Sequence, residues 1–267
     1  MIFIRNLKFC YTLNAEYSGD ITHHNFSFMF SPHDTNRQRI ENLNIEIADC
    51  PKLNITRDKF KNKRYYGLID KPHNKFSIKV TGNALTGLDI YEEYTSEPVE
   101  YSLLKVQTSL TLPGLKLREY HNGMELDKLE NDYEKALHIM HTIYYTFKYA
   151  SGATVVHSSA EEALRLGMGV CQDYAHIMLS VLRMENIPCR YVVGMMLGEG
   201  ASHAWAEVLC NGYWYGFDPT NNKLVNDEYI RVSAGRDSSD CSVIRGNFYG
   251  LANQRQKEIV SVEDISN

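Results

Sequence analysis

Apolar residues in the first part of the chain fall in short alternating runs, such as Phe26-Ser27-Phe28-Met29-Phe30 and Phe76-Ser77-Ile78-Lys79-Val80. A period of two with β-branched and aromatic residues predicts strands. Ser31-Pro32-His33-Asp34, Asp70-Lys71-Pro72-His73-Asn74 and Thr81-Gly82-Asn83 gather residues that strands avoid, and they read as turns between those strands. The stretch to about Pro113 is therefore expected to be antiparallel sheet.

Near Leu112-Pro113-Gly114 the period changes. Leu129, Tyr133, Ala136, Leu137, Met140, Ile143, Tyr144 and Phe147 are spaced by threes and fours, which puts them on one helical face. A short second helix is expected next, because Ser158 and Ser159 precede Glu161 and Glu162 at capping-box spacing and Gly167 supplies a stop. A third helix should begin close to Cys171 and run to about Met184, burying Ala175, Met178, Leu179 and Leu182. Strands resume after Pro188. The division expected is a β-rich domain over 1–125 and a second domain over 126–267.

Composition narrows the function classes. The formal net charge is −5 and acidic and basic residues are mixed along the chain, so neither nucleic acid nor an anionic membrane surface is an expected partner. Met1-Ile2-Phe3-Ile4-Arg5-Asn6 alternates and lacks the pattern of a signal peptide, and no apolar run approaches the roughly 20 residues of a membrane span. Six scattered cysteines without a CxxC pair fit reduced thiols, which makes a soluble, cytoplasmic protein the expectation.

Three residues could carry chemistry together. Cys171 follows Gly167-Met168-Gly169-Val170, where glycines give way to a helical pattern, so its thiol belongs in the first turn of a helix. The helix dipole and unpaired amides there favour a thiolate. Taken alone, such a cysteine is more often a small buried core residue. His203 opens an alternating strand to Leu209, and Asn211-Gly212 is a strong hairpin signal before Tyr213-Trp214-Tyr215-Gly216-Phe217-Asp218. A two-residue turn sets Cys210 opposite Tyr213 and Asp218 opposite Trp205. Asp218 is then one diagonal step from His203 on the same face, close enough for a hydrogen bond. Separately, these two are ordinarily a structural histidine and a turn residue before proline. Together the three supply nucleophile, base and orienter.

Other candidates read as structural. His138 and His141 are helical neighbours off the buried stripe without a third ligand and read as a solvated face, His23-His24 shares that reading, and no acidic cluster suits calcium, so no metal or cofactor is expected. Gly194, Gly198 and Gly200 lead straight to His203 rather than to a helix start, and read as a substrate-side loop. Tyr149, Trp205 and Trp214 read as core or cleft wall.

With these residues in view the sequence resembles the bacterial transglutaminase-like superfamily, whose members are often described as cysteine proteases. Gly169-Val170-Cys171-Gln172-Asp173-Tyr174-Ala175-His176 is similar to its nucleophile box, and Asn186-Ile187-Pro188-Cys189-Arg190-Tyr191-Val192 to the strand that follows. Ser202-His203-Ala204-Trp205-Ala206-Glu207-Val208 is similar to the histidine box and Phe217-Asp218-Pro219-Thr220-Asn221 to the aspartate box. Gly235-Arg236-Asp237 and Gly246-Asn247-Phe248-Tyr249-Gly250 look like the family's tail. Asn186 stands where glycine is usual, and Ser238-Ser239-Asp240-Cys241-Ser242-Val243 lacks the expected tyrosine and prolines.

The resemblance implies an α+β fold, with helices packed on an antiparallel sheet in a papain-like, transglutaminase-like core after a β-rich N-terminal domain. It implies a Cys171-His203-Asp218 triad working through a thioester on an amide bond of a peptide, a protein or an amide-bearing small molecule. Hydrolysis is the leading expectation. Acyl transfer to an amine and a non-catalytic binding domain are the alternatives.

Overall fold

The computed structural model describes residues 4–48, 50, 52–89, 92–93 and 98–266. Met1, Ile2 and Phe3 of the alternating N-terminus lie outside the described residues. The strands of the first part are β1 (Arg5–Phe28), β2 (Gln38–Ile47), β3 (Asn54–Arg57), β4 (Lys63–Ile69), β5 (His73–Thr86) and the short β6 (Glu92–Glu93). Helices α1 (Pro98–Leu103), α2 (Leu115–Asn122) and α3 (Asp132–Thr146) follow, then β7 (Lys148–Tyr149), α4 (Ala160–Leu166), β8 (Met168–Gly169) and α5 (Cys171–Met184). The chain ends in β9 (Cys189–Met196), β10 (Gly198–Gly200), β11 (His203–Cys210), β12 (Tyr213–Asp218), β13 (Lys223–Leu224), β14 (Tyr229–Gly235), β15 (Ile244–Tyr249) and β16 (Gln254–Asp264).

Two antiparallel sheets organise these strands. In the first, β1 is the spine: residues 5–17 pair with β5 and β16, and residues 22–28 pair with β4 and β15. Alternation along β1 turns Leu7, Phe9, Tyr11, Leu13 and Ala15 inward, where they join one apolar core with residues of α3, α5, β9 and β11. Each large side chain so buried contributes about 1.5–3 kcal/mol. The second sheet runs β13-β12-β11-β9-β14, with β6 on the free stretch of β12. The two sheets meet at β10, which leaves β9 and pairs with β16, so the first sheet reaches the mouth of the second.

The α+β class is as expected, and three helices stand close to their predicted places. Asn131 caps α3 through Glu134 N, Ser159 and Glu162 form the capping box of α4, and Gly167 closes α4 in the left-handed region. α5 spans the range predicted for it, but every residue from Asp173 to Arg183 is buried, not one stripe. It is the hub, and its buried Arg183 is satisfied by Leu104 O, Thr111 Oγ1 and Arg236 O.

Four readings need correction. Thr81-Gly82-Asn83 is not a turn, because β5 runs through it. Gly82 is there for close approach, since a Cβ would lie 2.8 Å from the Phe9 ring and 3.1 Å from Glu41 O. Tyr144 is exposed and Ile139 takes the buried position on α3. Gly194 and Gly198–Gly200 are strand residues of β9 and β10, not a loop. His24 is buried, with Nδ1 3.2 Å from His73 Nε2, and is not a solvated histidine. Among the described residues no helix is long and apolar enough to cross a membrane.

Candidate active site

α5 starts where it does because its first turn is pinned from below. Val170 is extended, its N–H donates to Asp173 Oδ2 at 2.8 Å, and the Thr154 hydroxyl donates to the same oxygen at 2.7 Å. Gly169 lets that carboxylate in, since a Cβ there would lie 2.3 Å from Asp173 Oδ2. Burial raises the Asp173 pKa, although the Thr154 and Val170 hydrogen bonds oppose the shift. Cys171, half-buried, is the first residue of the helix, and the first-turn amides of Cys171 and Gln172 have no intrahelical acceptor.

His203 is the first residue of β11 and Asp218 the last of β12. The turn at Asn211-Gly212 sets Cys210 opposite Tyr213 and Ala206 opposite Phe217, the register that the loop length demands. Asp218 therefore reaches His203 diagonally, and His203 Nε2 donates to Asp218 Oδ2 at 2.7 Å. Cys171 stands at the start of the helix packed on β11, near enough to act on the His203 imidazole and contribute to its raised pKa. Because Nε2 is engaged by the carboxylate, Nδ1 is the nitrogen left for sulfur. Imidazole and carboxylate are thus hydrogen-bonded, with the Cys171 end of α5 beside them.

Asp218 is fully buried and heavily solvated by protein. Its Oδ2 also accepts from Tyr229 OH at 2.9 Å and Asn221 Nδ2 at 2.7 Å, and its Oδ1 accepts from the amides of Thr220 and Asn221. Burial would raise its pKa, but the hydrogen bonds from His203, Asn221 and Tyr229 and the His203 charge hold it below the ordinary carboxylate value. For His203 burial acts downward, and the hydrogen bonds and charges of Asp218 and Cys171 outweigh it, raising the pKa from 6.5 to about 10.

Asn221 and Tyr229 were not singled out from the sequence. Asn221 has a local signal, since it closes an Asp-Pro-x-Asn turn in which the aspartate side chain caps the next amides. Tyr229 has none, because only the β9–β14 pairing brings it over Asp218. A third addition is Glu258 of β16. It accepts from Ser202 N at 2.6 Å and from Tyr11 OH at 3.2 Å, so the first sheet clamps the residue before His203.

The cleft beside His203 measures about 410 Å³. Tyr149, Met196, Gly198, Glu199, Asn221 and Val260 line it. Trp205 and Trp214 are buried, so of the three aromatic candidates only Tyr149 is cleft wall. His138 is exposed, His141 Nδ1 meets Asn222 Oδ1, and among the described residues no three His, Cys, Asp or Glu side chains are grouped to hold a metal.

Residues 123–219 match the transglutaminase-like superfamily core, and residues 7–84 match the bacterial transglutaminase-like N-terminal region. The uncharacterized protein ML0607 of Mycobacterium leprae is 43% identical over 112 residues, which are 38% of this chain and 40% of that one. The uncharacterized protein Rv2569c of Mycobacterium tuberculosis is 28% identical over 267 aligned residues, covering 87% of this chain and 84% of that one. The crystal structure of a provisionally assigned cysteine protease from Cytophaga hutchinsonii superposes with a TM-score of 0.81 at 21% identity, covering 99% of this chain and 92% of its own, and shows the same fold. This chain thus carries a transglutaminase-like superfamily core preceded by a bacterial transglutaminase-like N-terminal region.

Proposed function

We propose that this protein is a cysteine-dependent hydrolase of amide bonds, with Cys171 as nucleophile, His203 as its proton carrier and Asp218 as the group that orients and charges His203. The single observation that carries the reading is the hydrogen bond of the His203 imidazole to buried Asp218 beside the Cys171 end of α5. The Cys171 thiolate attacks the carbonyl carbon, and the carbonyl π electrons move to oxygen. The first-turn amides of Cys171 and Gln172 are the donors that face the new oxyanion. His203 gives its proton to the departing amine as the C–N bond breaks, which leaves a thioester. Water then attacks with His203 taking its proton, and the thiolate and a carboxylic acid are released. Asp218 stays ionised throughout.

A peptide chain suits the cleft. β10 is the end strand of the first sheet, and two of its three residues are glycines around which a Cβ would meet nothing within 4 Å, so its backbone is open to an extended segment laid beside it. The six unpaired thiols fit a cytoplasmic location.

The test is to mix the full-length protein with a peptide library and follow adducts by intact mass, with Cys171→Ala as control. A thioester on Cys171 is expected in the parent protein and none in the variant. Adduct release at a rate that methylamine does not change identifies water as the acceptor, release accelerated by methylamine assigns acyl transfer instead, and absence of any adduct overturns the enzymatic reading.

A further inference from the structure

Asp218 carries more donors than a carboxylate has places to receive them. An ionised carboxylate offers about four lone-pair sites, two on each oxygen. Oδ1 accepts from the amides of Thr220 at 3.0 Å and Asn221 at 3.3 Å, which fills it. Oδ2 accepts from His203 Nε2 at 2.7 Å, Asn221 Nδ2 at 2.7 Å and Tyr229 OH at 2.9 Å. Three donors therefore share one oxygen, and the imidazole is one of them.

The hydroxyl is the donor that neither satisfaction nor packing calls for. The other four already occupy the carboxylate, so the buried charge would not be left bare without it. Tyr229 opens β14 and is buried, its ring edge-on to Trp205 with centroids 5.5 Å apart and 6.3 Å from the His203 ring. A phenylalanine would make the same ring contacts. Burial and the Asp218 charge both raise the Tyr229 pKa, so the hydroxyl keeps its proton and goes on donating. What it adds is competition for Oδ2.

We propose that Tyr229 is a positioning residue: its hydroxyl takes up part of the Asp218 charge and so limits how strongly that carboxylate holds the His203 imidazole. Such a limit has a use in the reaction proposed above, where the imidazole must release a proton to the departing amine. An imidazole held too tightly as a cation is a poor acid. That benefit rests on the proposed function, whereas the effect on the imidazole does not. The titratable groups around the imidazole are Asp218 from β12, Tyr229 from β14 and Cys171 from α5, with Tyr149 of β7 and Glu199 of β10 lining the same cleft.

The test reads His203 directly, by heteronuclear NMR titration of its imidazole in the full-length protein carrying Cys171→Ala, so that thiolate formation does not intrude and no catalysis is needed. Tyr229→Phe should raise the pH at which the imidazole loses its proton by roughly 0.5–1, because Oδ2 with one donor fewer holds the cation more tightly. Asn221→Ala removes the other competitor and should act in the same direction but less, since Asn221 is exposed and water can take its place. Loss of a merely structural contact would loosen the pair and lower that pH. A titration unmoved or lowered in Tyr229→Phe, or in Asn221→Ala should Tyr229→Phe fail to fold, would overturn the proposal. In the protein with Cys171 restored, the alkaline limb of kcat should move up with the titration in Tyr229→Phe, and absence of amide cleavage there and in the parent would overturn the proposed function alone.

Discussion

Two buried charged groups share one face of the second sheet, and they are built for opposite ends. The pair His203–Asp218 sits at the mouth of the sheet, where a cleft opens on the imidazole. The cluster of Arg190, Arg231, Glu92 and Glu207 lies farther along the same strands, with its guanidinium groups only 11% exposed. Both bury charge at a cost that only close partners offset. In the cluster the cations are arginines, which do not titrate in any accessible range, so the arrangement can hold strands together but cannot move a proton. In the pair the cation is an imidazole that can give and take one. The proposed chemistry belongs to the pair, where a titratable group replaces a permanent charge beside an open cleft.

The largest effect that would break this contrast is Asp218→Asn. It leaves an isosteric side chain but removes the charge that fixes the imidazole, and kcat for amide cleavage should fall about 10⁴-fold with the fold intact by circular dichroism. Glu207→Ala tests the other cluster. It leaves Arg190 and Arg231 short of a carboxylate and should cost about 3–5 kcal/mol in a urea titration, while kcat of the folded enzyme stays close to the parent value.

Alkaline pH sharpens the difference without mutation. The His203 pKa is raised from 6.5 to about 10, so the stability that its charged form contributes is fully present below 6.5 and is lost as pH rises through about 10. Leaving-group protonation fails over the same limb, and kcat should decline there. The arginine cluster contributes nothing to that limb, so the alkaline loss should vanish in His203→Gln and persist in Glu207→Ala. The smallest effect concerns Asn186, which has φ +60° just past the end of α5. Asn186→Gly should be neutral or slightly stabilising and Asn186→Ala should cost about 1 kcal/mol by thermal melt, with catalysis unchanged.

Much of the site was legible because it is encoded locally. The length of the Asn211-Gly212 turn alone places Asp218 on the His203 face, and the glycines before Cys171 mark the start of α5. The positive φ of Asn186 explains why an asparagine can stand where the family has glycine. What was not legible depends on distant pairing. Tyr229 and Glu258 reach the site through β14 and β16, and no periodicity within either strand announces a partner. Gly82 misled because glycine marks both turns and close approach, and only the Phe9 ring across the sheet distinguishes the two. The cluster of two arginines and two glutamates has no local signal either, because Arg190, Arg231, Glu92 and Glu207 meet only through pairing of separate strands.

The most direct measurement is the rate of iodoacetamide modification of each cysteine at pH 7, read by peptide mass mapping in the parent protein and in His203→Ala. Cys189 and Cys210 are buried with thiol pKa values pushed up to about 11 and about 12, so they should stay unmodified. Cys171 should react well before Cys10 and Cys50, and loss of His203 should slow it by about tenfold or more while leaving those two unchanged. Equal rates at Cys171, Cys10 and Cys50, or a Cys171 rate indifferent to His203, would contradict a paired nucleophile at this site.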